Sequence, residues 1–468
     1  MSRINSNIPA LTAQHDLSKA QNNLQTSLRR LSSGIKINSA AEDPAGLIIS
    51  ELLRSEKASI STAVSNTQRA TNVIATTEGA LNEVNSLLVD IRSKIVEAAS
   101  KGALSPSEID ANQIQIDSAV RSIARIANST EFGGRVLLNG NLDYVYSGVP
   151  AATIQEATVY AAQFAGRANV PVVTNLTRTA SAAKLGWAGS GLAAANAVTI
   201  EVAGNKGSEV LSFVGSTHAS AIVFAINAVK DTTGVSANMS GTTGLAMWSV
   251  DVGSDQFVSV NALNGTFTTT AARDTGADAV ATINGTKVDA RGNTLNLNSV
   301  NLQGKIVLKA NAAAGISTFY VTGGGALFQI GPNTNVNGQY NIGIQSINPG
   351  RLGSKAAGYL NQIVTGGTAS LANNGASTAT LIVDAAVSAV STLRGRLGAL
   401  QKNTLETNTN SLNVALENVT AAESNIRDTD FAAETANMTK NQILVSAGTS
   451  VLQTANTIPQ NVLALLGR

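Results

Sequence analysis

Between Pro44 and Lys101 apolar or small side chains return every seven positions: Ile60, Thr67, Ile74, Leu81, Leu88 and Ile95. Val64, Val84 and Ile91 fill the half-steps, and Gly46 and Gly79 are the only glycines. A period of seven marks a narrow seam along a helix, the pattern of a coiled coil. At 1.5 Å per residue, a continuous helix over this stretch is ~87 Å long. One small domain needs nothing of that length, so the seam calls for long partners.

Upstream, Ile4, Ile8, Leu11, Leu17, Leu24, Leu28, Leu31 and Ile35 stand mostly three, four or seven apart, which predicts an amphipathic helix over residues 2–35. Its polar face holds Asn, Gln and Ser rather than charge, so it is marginal alone. Gly34 is the expected stop. Asp43 as N-cap, with Pro44 in the first helical position, starts the long helix. Residues 35–43 are then a break. The long helix should end near Gly102, after which Ser105-Pro106-Ser107-Glu108 reads as a capping box. Ile109, Ile116, Val120, Ile123 and Ala127 predict a shorter helix folded back on the long one. Gly133-Gly134 closes it.

From about residue 135 the pattern changes. Stretches such as 197–202, 256–260 and 305–308 are short and alternating or β-branched, with Gly, Asn and Asp between them, which predicts strands and turns. Ala219 to Val229 is the one helical stretch there. Thr322-Gly323-Gly324-Gly325 ends this middle part, and two strand-like pieces flank Gly331-Pro332-Asn333. Near Thr378 helical spacing returns: Ala386, Val390, Leu393, Leu397 and Leu400, then Leu405, Leu412, Val419 and Ile426 every seven. This is the partner for the opening seam. Asp428-Thr429-Asp430 interrupts it and can cap a last helix carrying Leu444, Ala447, Val451, Ala455, Ile458, Val462 and Leu465. No charge occurs from 441 to 467, and Pro459 should kink the helix. The fold class is α+β: a long α-helical coiled-coil bundle made by both chain ends, with a β-rich module inserted.

Composition narrows the function. A net charge of +2 provides no broad field for nucleic acid or anionic lipid. Aromatics are only 4 %, low for a chain of several compact cores. With no cysteine there are no disulfides, thiolate metal sites or cysteine nucleophiles, so stability must come from packing or assembly. No apolar run reaches membrane-spanning length, and the N-terminus has no secretory signal pattern. The two histidines, His15 and His218, lie far apart and read as packing or surface residues. The glycine run at 323–325 lacks the Lys-Ser or Lys-Thr of a phosphate loop. Asp428 and Asp430 read as caps rather than paired catalytic carboxylates. No catalytic, metal or cofactor site is expected. Periodicity alone also allows an ordinary intramolecular bundle. A membrane-active tail is disfavoured because its polar residues are scattered and it has no basic face.

The words of this sequence, in this order, resemble bacterial flagellin. The matching stretches are Ile4-Asn5-Ser6-Asn7, residues 28–34 (Leu-Arg-Arg-Leu-Ser-Ser-Gly) and 37–46, then Leu393-Arg394, Leu397-Gly398-Ala399, residues 423–432, Gln442-Ile443-Leu444, residues 447–452 and Pro459-Gln460-Asn461-Val462-Leu463. They cover about 1–140 and 326–468; residues 198–240 loosely resemble repeats inserted in flagellins and hook-associated proteins. Arg135-Val136-Leu137-Leu138 and Phe328-Gln329-Ile330-Gly331 look like the two strands of the family's core hairpin, with the insert inside it.

The resemblance implies an extracellular subunit of the flagellar filament, exported unfolded without a cleaved signal peptide and polymerised at the tip. It implies inner-core helices over 1–38 and 430–468, a helical bundle with a β-hairpin over 39–145 and 322–429, and a solvent-facing variable module over 146–321. The implied partners are further copies of the chain, flagellar cap and hook-associated proteins, and an export chaperone on the C-terminal helix, with no nucleic acid and no membrane insertion. Leu24, Leu28, Leu31, Ile60, Ile74, Leu81, Leu88, Ile95, Leu393, Leu397, Leu400, Leu444, Val451, Ile458, Val462 and Leu465 are the expected subunit-packing residues. Open-ended packing of such seams yields a helical filament. A hook-associated junction or cap protein is the nearest rival reading and a type III needle or translocator subunit a more distant one. One departure stands out: the receptor patch of the family, Arg-x-Arg-Glu-Leu, aligns with Asp90-Ile91-Arg92-Ser93-Lys94, so weak activation of the animal flagellin receptor is expected.

Overall fold

The protein was analysed as a computed structural model that describes residues 6–466 apart from 101, 103, 194–196, 242–243, 300 and 374, and only the backbone of 459–466. Ile4 and Asn5, and the side chains of Val462 and Leu465, lie outside the described residues. The chain divides into two compact units. One comprises residues 1–69, 329–334 and 403–468; the other comprises 70–328 and 335–402.

The helices are α1 (Ile8–Ser33), α2 (Pro44–Ala99), α3 (Pro106–Ser129), α4 (Ala219–Ala228), α5 (Lys230–Thr233), α6 (Ala376–Leu400), α7 (Thr407–Arg427) and α8 (Phe431–Leu466). Their ends follow the expected chemistry. Gly34, at φ 70°, closes α1 as expected, but its start lies at Ile8 rather than residue 2, where Asn7 Oδ1 accepts from the Ala10 N–H at 3.1 Å and caps the first turn. Asp43 Oδ1 accepts from the Gly46 N–H at 2.9 Å at the start of α2. Ser105 and Glu108 form the capping box of α3, and Asp430 Oδ1 accepts from the N–H groups of Ala432 and Ala433 at 2.9 and 3.1 Å. Satisfying the orphan donors of a first turn in this way fixes where each helix begins.

The buried face of α2 steps by threes and fours from Ile60 through Ala63, Thr67, Ala70, Ile74, Thr77, Leu81, Val84, Leu88, Ile91 and Ile95 to Ala98. The half-step beside Ile60 is therefore Ala63, not Val64, which is half-buried. In the first unit Ile60 and Ala63 pack with Leu412, Leu416 and Val419 of α7. In the second, α2 and α6 run antiparallel, tied by Arg92–Asp384 at 3.0 Å and Glu78–Arg394 at 3.9 Å. Along α6 the buried residues Ala386, Val390, Leu393, Leu397 and Leu400 keep the same step. The next buried apolar residue is Leu405, five on rather than four, and residues 401–406 form a π-helical turn. A wider turn absorbs one extra residue and keeps the seam in phase. The continuous stretch 376–427 is long and apolar enough to cross a membrane by length and composition alone.

One expectation fails locally. Residues 135–138 do not pair with 328–331. Arg135–Val136 pairs instead with Glu131–Phe132, and Ala326–Gln329 with Gln339–Ile342. Gly133 and Gly134 both have positive φ, 59° and 78°, which is what a tight two-residue hairpin requires. Leu137 and Leu138 then leave the hairpin for the interior. The insert lies between two separate hairpins, not inside one. The backbone of α8 is helical through Pro459 to Leu466.

The β-rich part has two cores within the second unit. The first lies between a five-stranded sheet, containing Val170–Arg178 and Gly315–Gly324, and a four-stranded sheet ending on Leu302–Leu308 and Ile154–Ala162. Phe319, Ile283 and Leu295 are fully buried in it. The second core sets the four-stranded sheet of Val198–Gly204 and Phe257–Asn264, a three-stranded sheet and α4 around Ile200, Val202, Ile222 and Met247. Alternating inward residues along each strand are the reason these short segments form sheets at all.

Candidate functional site

The first unit is organised by the antiparallel pairing of α1 with α8. Asn7 Nδ2 donates to the Ala455 carbonyl at 2.8 Å at one end, and Arg30 meets Glu434 at 3.7 Å at the other. Between them the inward positions of α1 are Ala13, Leu17, Ala20, Leu24, Ser27 and Leu31, stepping four and three. Those of α8 are Glu434, Met438, Asn441, Val445, Gly448, Leu452 and Ala455, in the same steps. Small residues occupy the tightest places. Ala13, Ala20 and Ser27 are buried, and a Cβ on Gly448 would sit 3.3 Å from Leu17 Cδ1. Removing bulk at regular intervals lets two helix backbones approach closely and interdigitate.

The breaks beside the pair are fastened together. The Lys36 N–H donates to the Arg427 carbonyl at 2.7 Å, and the Thr429 N–H to the Gly34 carbonyl at 3.0 Å. Glu42 sits 3.0 Å from Arg29 and 3.9 Å from Arg30, while Arg427 reaches Glu51 at 3.1 Å and Lys57 reaches Glu423 at 3.0 Å. Partly exposed pairs of this kind add little stability each, but they fix where the two chain ends meet.

The close pairing leaves large apolar side chains facing outward. On α8 these are Leu444, Val451 and Ile458, seven apart and 46 %, 57 % and 49 % exposed, with Ile443 beside them. On α1 they are Ile8, Leu11 and Leu28. The sequence pattern placed Leu444, Val451 and Ala455 on one seam. The structure separates them: Ala455 faces α1, and the row of Leu444, Val451 and Ile458 does not. The expected seam followed the larger side chains and shares only Ala455 with the row that makes the contact.

The other expected packing residues divide cleanly. Ile60, Ile74, Leu81, Leu88, Ile95, Leu393, Leu397 and Leu400 are buried within this single chain. With almost no accessible surface left, they have none to offer a neighbouring molecule. Leu24 and Leu31 are half-buried in the α1–α8 seam, and Leu28 is exposed. In the receptor-patch segment Asp90 and Arg92 are exposed and Lys94 is half-buried. Arg92 is held by Asp384, and Lys94 by Glu97 at 2.9 Å, which pulls the Glu97 carboxyl below its ordinary range. Among the described residues no three His, Cys, Asp or Glu side chains converge as metal ligands.

Both chain ends match known family models. Residues 4–143 match the bacterial flagellin N-terminal helical region, 380–466 the bacterial flagellin C-terminal helical region, and 199–249 the flagellin hook IN motif. The chain is 31 % identical to flagellin D of Vibrio anguillarum and 29 % identical to flagellin A of Helicobacter pylori, over 99 % of each chain in both cases. Among solved structures, flagellar hook-associated protein 3 of Legionella pneumophila aligns with 80 % of this chain and 98 % of that one, at 11 % identity and a TM-score of 0.31.

Proposed function

This chain belongs to the bacterial flagellin family, and from that membership we propose how its surfaces are used. As a flagellin it is a structural subunit of the extracellular flagellar filament and not an enzyme. In our reading the paired helices α1 and α8, within 1–38 and 430–468, form the innermost layer around a central export channel. The bundle and hairpins within 39–145 and 322–429 form the next layer, and the module over 146–321 faces solvent. The export chaperone engages α8 before assembly, and cap and hook-associated proteins meet the filament at its ends. The chain does not insert into membrane.

One observation carries this reading: the outward row Leu444, Val451 and Ile458, with Ile443 beside it and Ile8, Leu11 and Leu28 on α1. Large apolar side chains in rows on a soluble surface mark an interaction site. Here they lie on the terminal helices themselves, and a second copy offers the same rows. Head-to-tail contact between such rows does not close on itself, so it propagates as a helix. The uncharged Gln, Asn, Ser and Thr positions between the rows suit a wetted channel wall. The seam residues of α2 and α6 hold the individual subunit together rather than join subunits.

Seeded polymerisation tests the proposal. The purified full chain should elongate seeds into micrometre-long filaments with no cap protein added, which a junction or cap protein does not do. The chain shortened by residues 431–468 should stay a soluble monomer with an intact β-rich circular dichroism signal. Filament growth by the shortened chain would refute the assignment of α8.

A further inference from the structure

Asparagine is followed by glycine at five places, Asn139, Asn264, Asn284, Asn337 and Asn374. Such a pair can react with itself. Glycine has no Cβ, so its amide nitrogen can swing onto the side-chain carbonyl carbon of the asparagine, Cγ. Closing that ring asks two things of the fold: a side chain free to turn back, and a glycine N–H that is not held elsewhere.

Four of the pairs lack one of these. The Asn284 side chain is pinned at both ends, since Oδ1 accepts from the Val173 N–H at 2.8 Å and Nδ2 donates to the Pro171 carbonyl at 3.1 Å. Asn139 Oδ1 accepts from the Asn141 N–H at 3.0 Å. After Asn337 it is the glycine that is held: the Gly338 N–H donates to the Asn335 carbonyl at 3.0 Å and to Asn335 Oδ1 at 2.9 Å. Asn374 lies outside the described residues, but the Gly375 N–H that follows it donates to the Ser370 carbonyl at 3.1 Å.

Asn264 satisfies both conditions. It is exposed, and neither its side chain nor the Gly265 N–H has a hydrogen-bond partner among the described residues. It is the last residue of the strand Phe257–Asn264, it follows a shift in register between Ala262 and Asn264, and residues 265–268 have no regular structure. Little backbone order has to be undone for the side chain to reach the next nitrogen. The fold also fixes the reactive neighbour. Gly265 has φ 76°, and a Cβ there would overlap the Ala197 carbonyl oxygen, so only glycine fits.

We propose that Asn264 is a site of spontaneous deamidation on the β-rich module. The Gly265 nitrogen loses its proton to hydroxide and bonds to Asn264 Cγ. The Cγ–Nδ2 bond breaks and ammonia leaves, which gives a cyclic imide. Water then opens the imide at either carbonyl and yields isoaspartate or aspartate. Water is the only co-reactant, and nothing is oxidised or reduced. Each event adds a carboxylate, and isoaspartate also lengthens the main chain by one methylene at the end of the strand. The site depends on neither polymerisation nor the terminal helices, so a failure of the filament reading leaves it standing.

The test is peptide mapping by mass spectrometry of the full-chain monomer held in warm, mildly alkaline buffer, with isoaspartate identified by electron-transfer fragmentation. Asn264 should convert first, about thirtyfold faster than Asn284, whose two side-chain hydrogen bonds must break before its ring can close. In urea, where the fold holds none of the pairs, Asn264 and Asn284 should convert at equal rates. Asn264→Gln, at an exposed position, should remove most of the ammonia released by the folded chain, with an unchanged circular dichroism spectrum. Conversion of Asn284 or Asn337 as fast as Asn264 in the folded chain, or a lead of Asn264 that persists undiminished in urea, would overturn the assignment.

Discussion

Replacing Leu444, Val451 and Ile458 together by alanine separates the outward row of α8 from its inward row. In the monomer these side chains are 46 %, 57 % and 49 % exposed, so about half of each remains to be covered by a neighbour. Full burial of such a side chain is worth ~1.5–3 kcal/mol, so the uncovered halves amount to ~1 kcal/mol each and ~3 kcal/mol together. At about 1.4 kcal/mol per tenfold, the critical concentration for seeded elongation should rise about a hundredfold. Alanine is the best helix former, so the helical signal of the monomer should not fall. The control is Leu452→Ala, one step away on the inward row. It should lower monomer helicity and weaken the α1–α8 pair. Sedimentation of filaments across a concentration series measures the first effect, and circular dichroism the second. If the triple variant loses helicity as a monomer and its critical concentration moves by less than about tenfold, the two rows have been assigned the wrong way round.

Two carboxyls, those of Asp117 and Asp143, should respond oppositely to pH. Burial acts most strongly on Asp117 and pushes its carboxyl up, but N–H groups from Thr365 and Gln113 outweigh it and hold the group below its ordinary 3.8. The folded value lies under the unfolded one, so this stability is present above 3.8 and lost as pH falls through the folded value; Asp117→Asn should flatten that acid limb in urea unfolding. Burial pushes Asp143 above 3.8, with only the Tyr144 N–H and nearby Arg351 and Arg396 opposing it, so its ionised form costs stability at neutral pH and Asp143→Asn should raise the urea midpoint there and not at low pH. The purified monomer should signal weakly in a reporter assay for the animal flagellin receptor, because Asp90 and Lys94 reverse or replace the expected groups and Arg92 is held by Asp384; strong signalling would refute this. In the monomer, amide exchange should be faster along α1 and α8 than along residues 70–98 of α2, and equal protection would contradict a marginal terminal pair.

Much of this fold is visible in the sequence wherever one local signal decides the outcome. The caps at Asp43, Ser105 and Asp430 and the stop at Gly34 each rest on a single side chain or glycine meeting a helix end, whereas α1 starts at Ile8, capped by Asn7, and not at the expected residue 2. The strands around 198–204, 257–264 and 302–308 follow from alternation with β-branched residues. Errors arose where two local solutions competed. Residues 135–138 look like a strand, but Gly133-Gly134 lets Arg135–Val136 turn back onto Glu131–Phe132 before any distant partner is needed. The π turn at 401–406 leaves only one trace, a step of five between Leu400 and Leu405. On α8 the small inward residues Gly448 and Ala455 carry almost no hydrophobic weight, so a size-based reading favours the outward row.

That inversion of size is also the link between the fold and its use. In the α1–α8 seam the small residues Ala13, Ala20, Ser27, Gly448 and Ala455 alternate with Leu17, Leu24, Leu31, Val445 and Leu452, so the helices come close while the small positions bury little apolar surface each. Helices held this way draw modest stability from their own pairing. Further large side chains, Leu444, Val451 and Ile458, stand on the outward face of α8 and remain about half exposed. The α2–α6 seam is built the other way, with Leu81, Leu88, Leu393 and Leu397 inside the chain and fully or almost fully buried. The α2–α6 seam is thus covered within the chain, whereas α1 and α8 keep rows of large apolar side chains uncovered. In the proposed filament subunit, this division would couple completion of the terminal pair's packing to assembly. An α8 with its large residues turned inward would form a more stable monomer and a weaker filament.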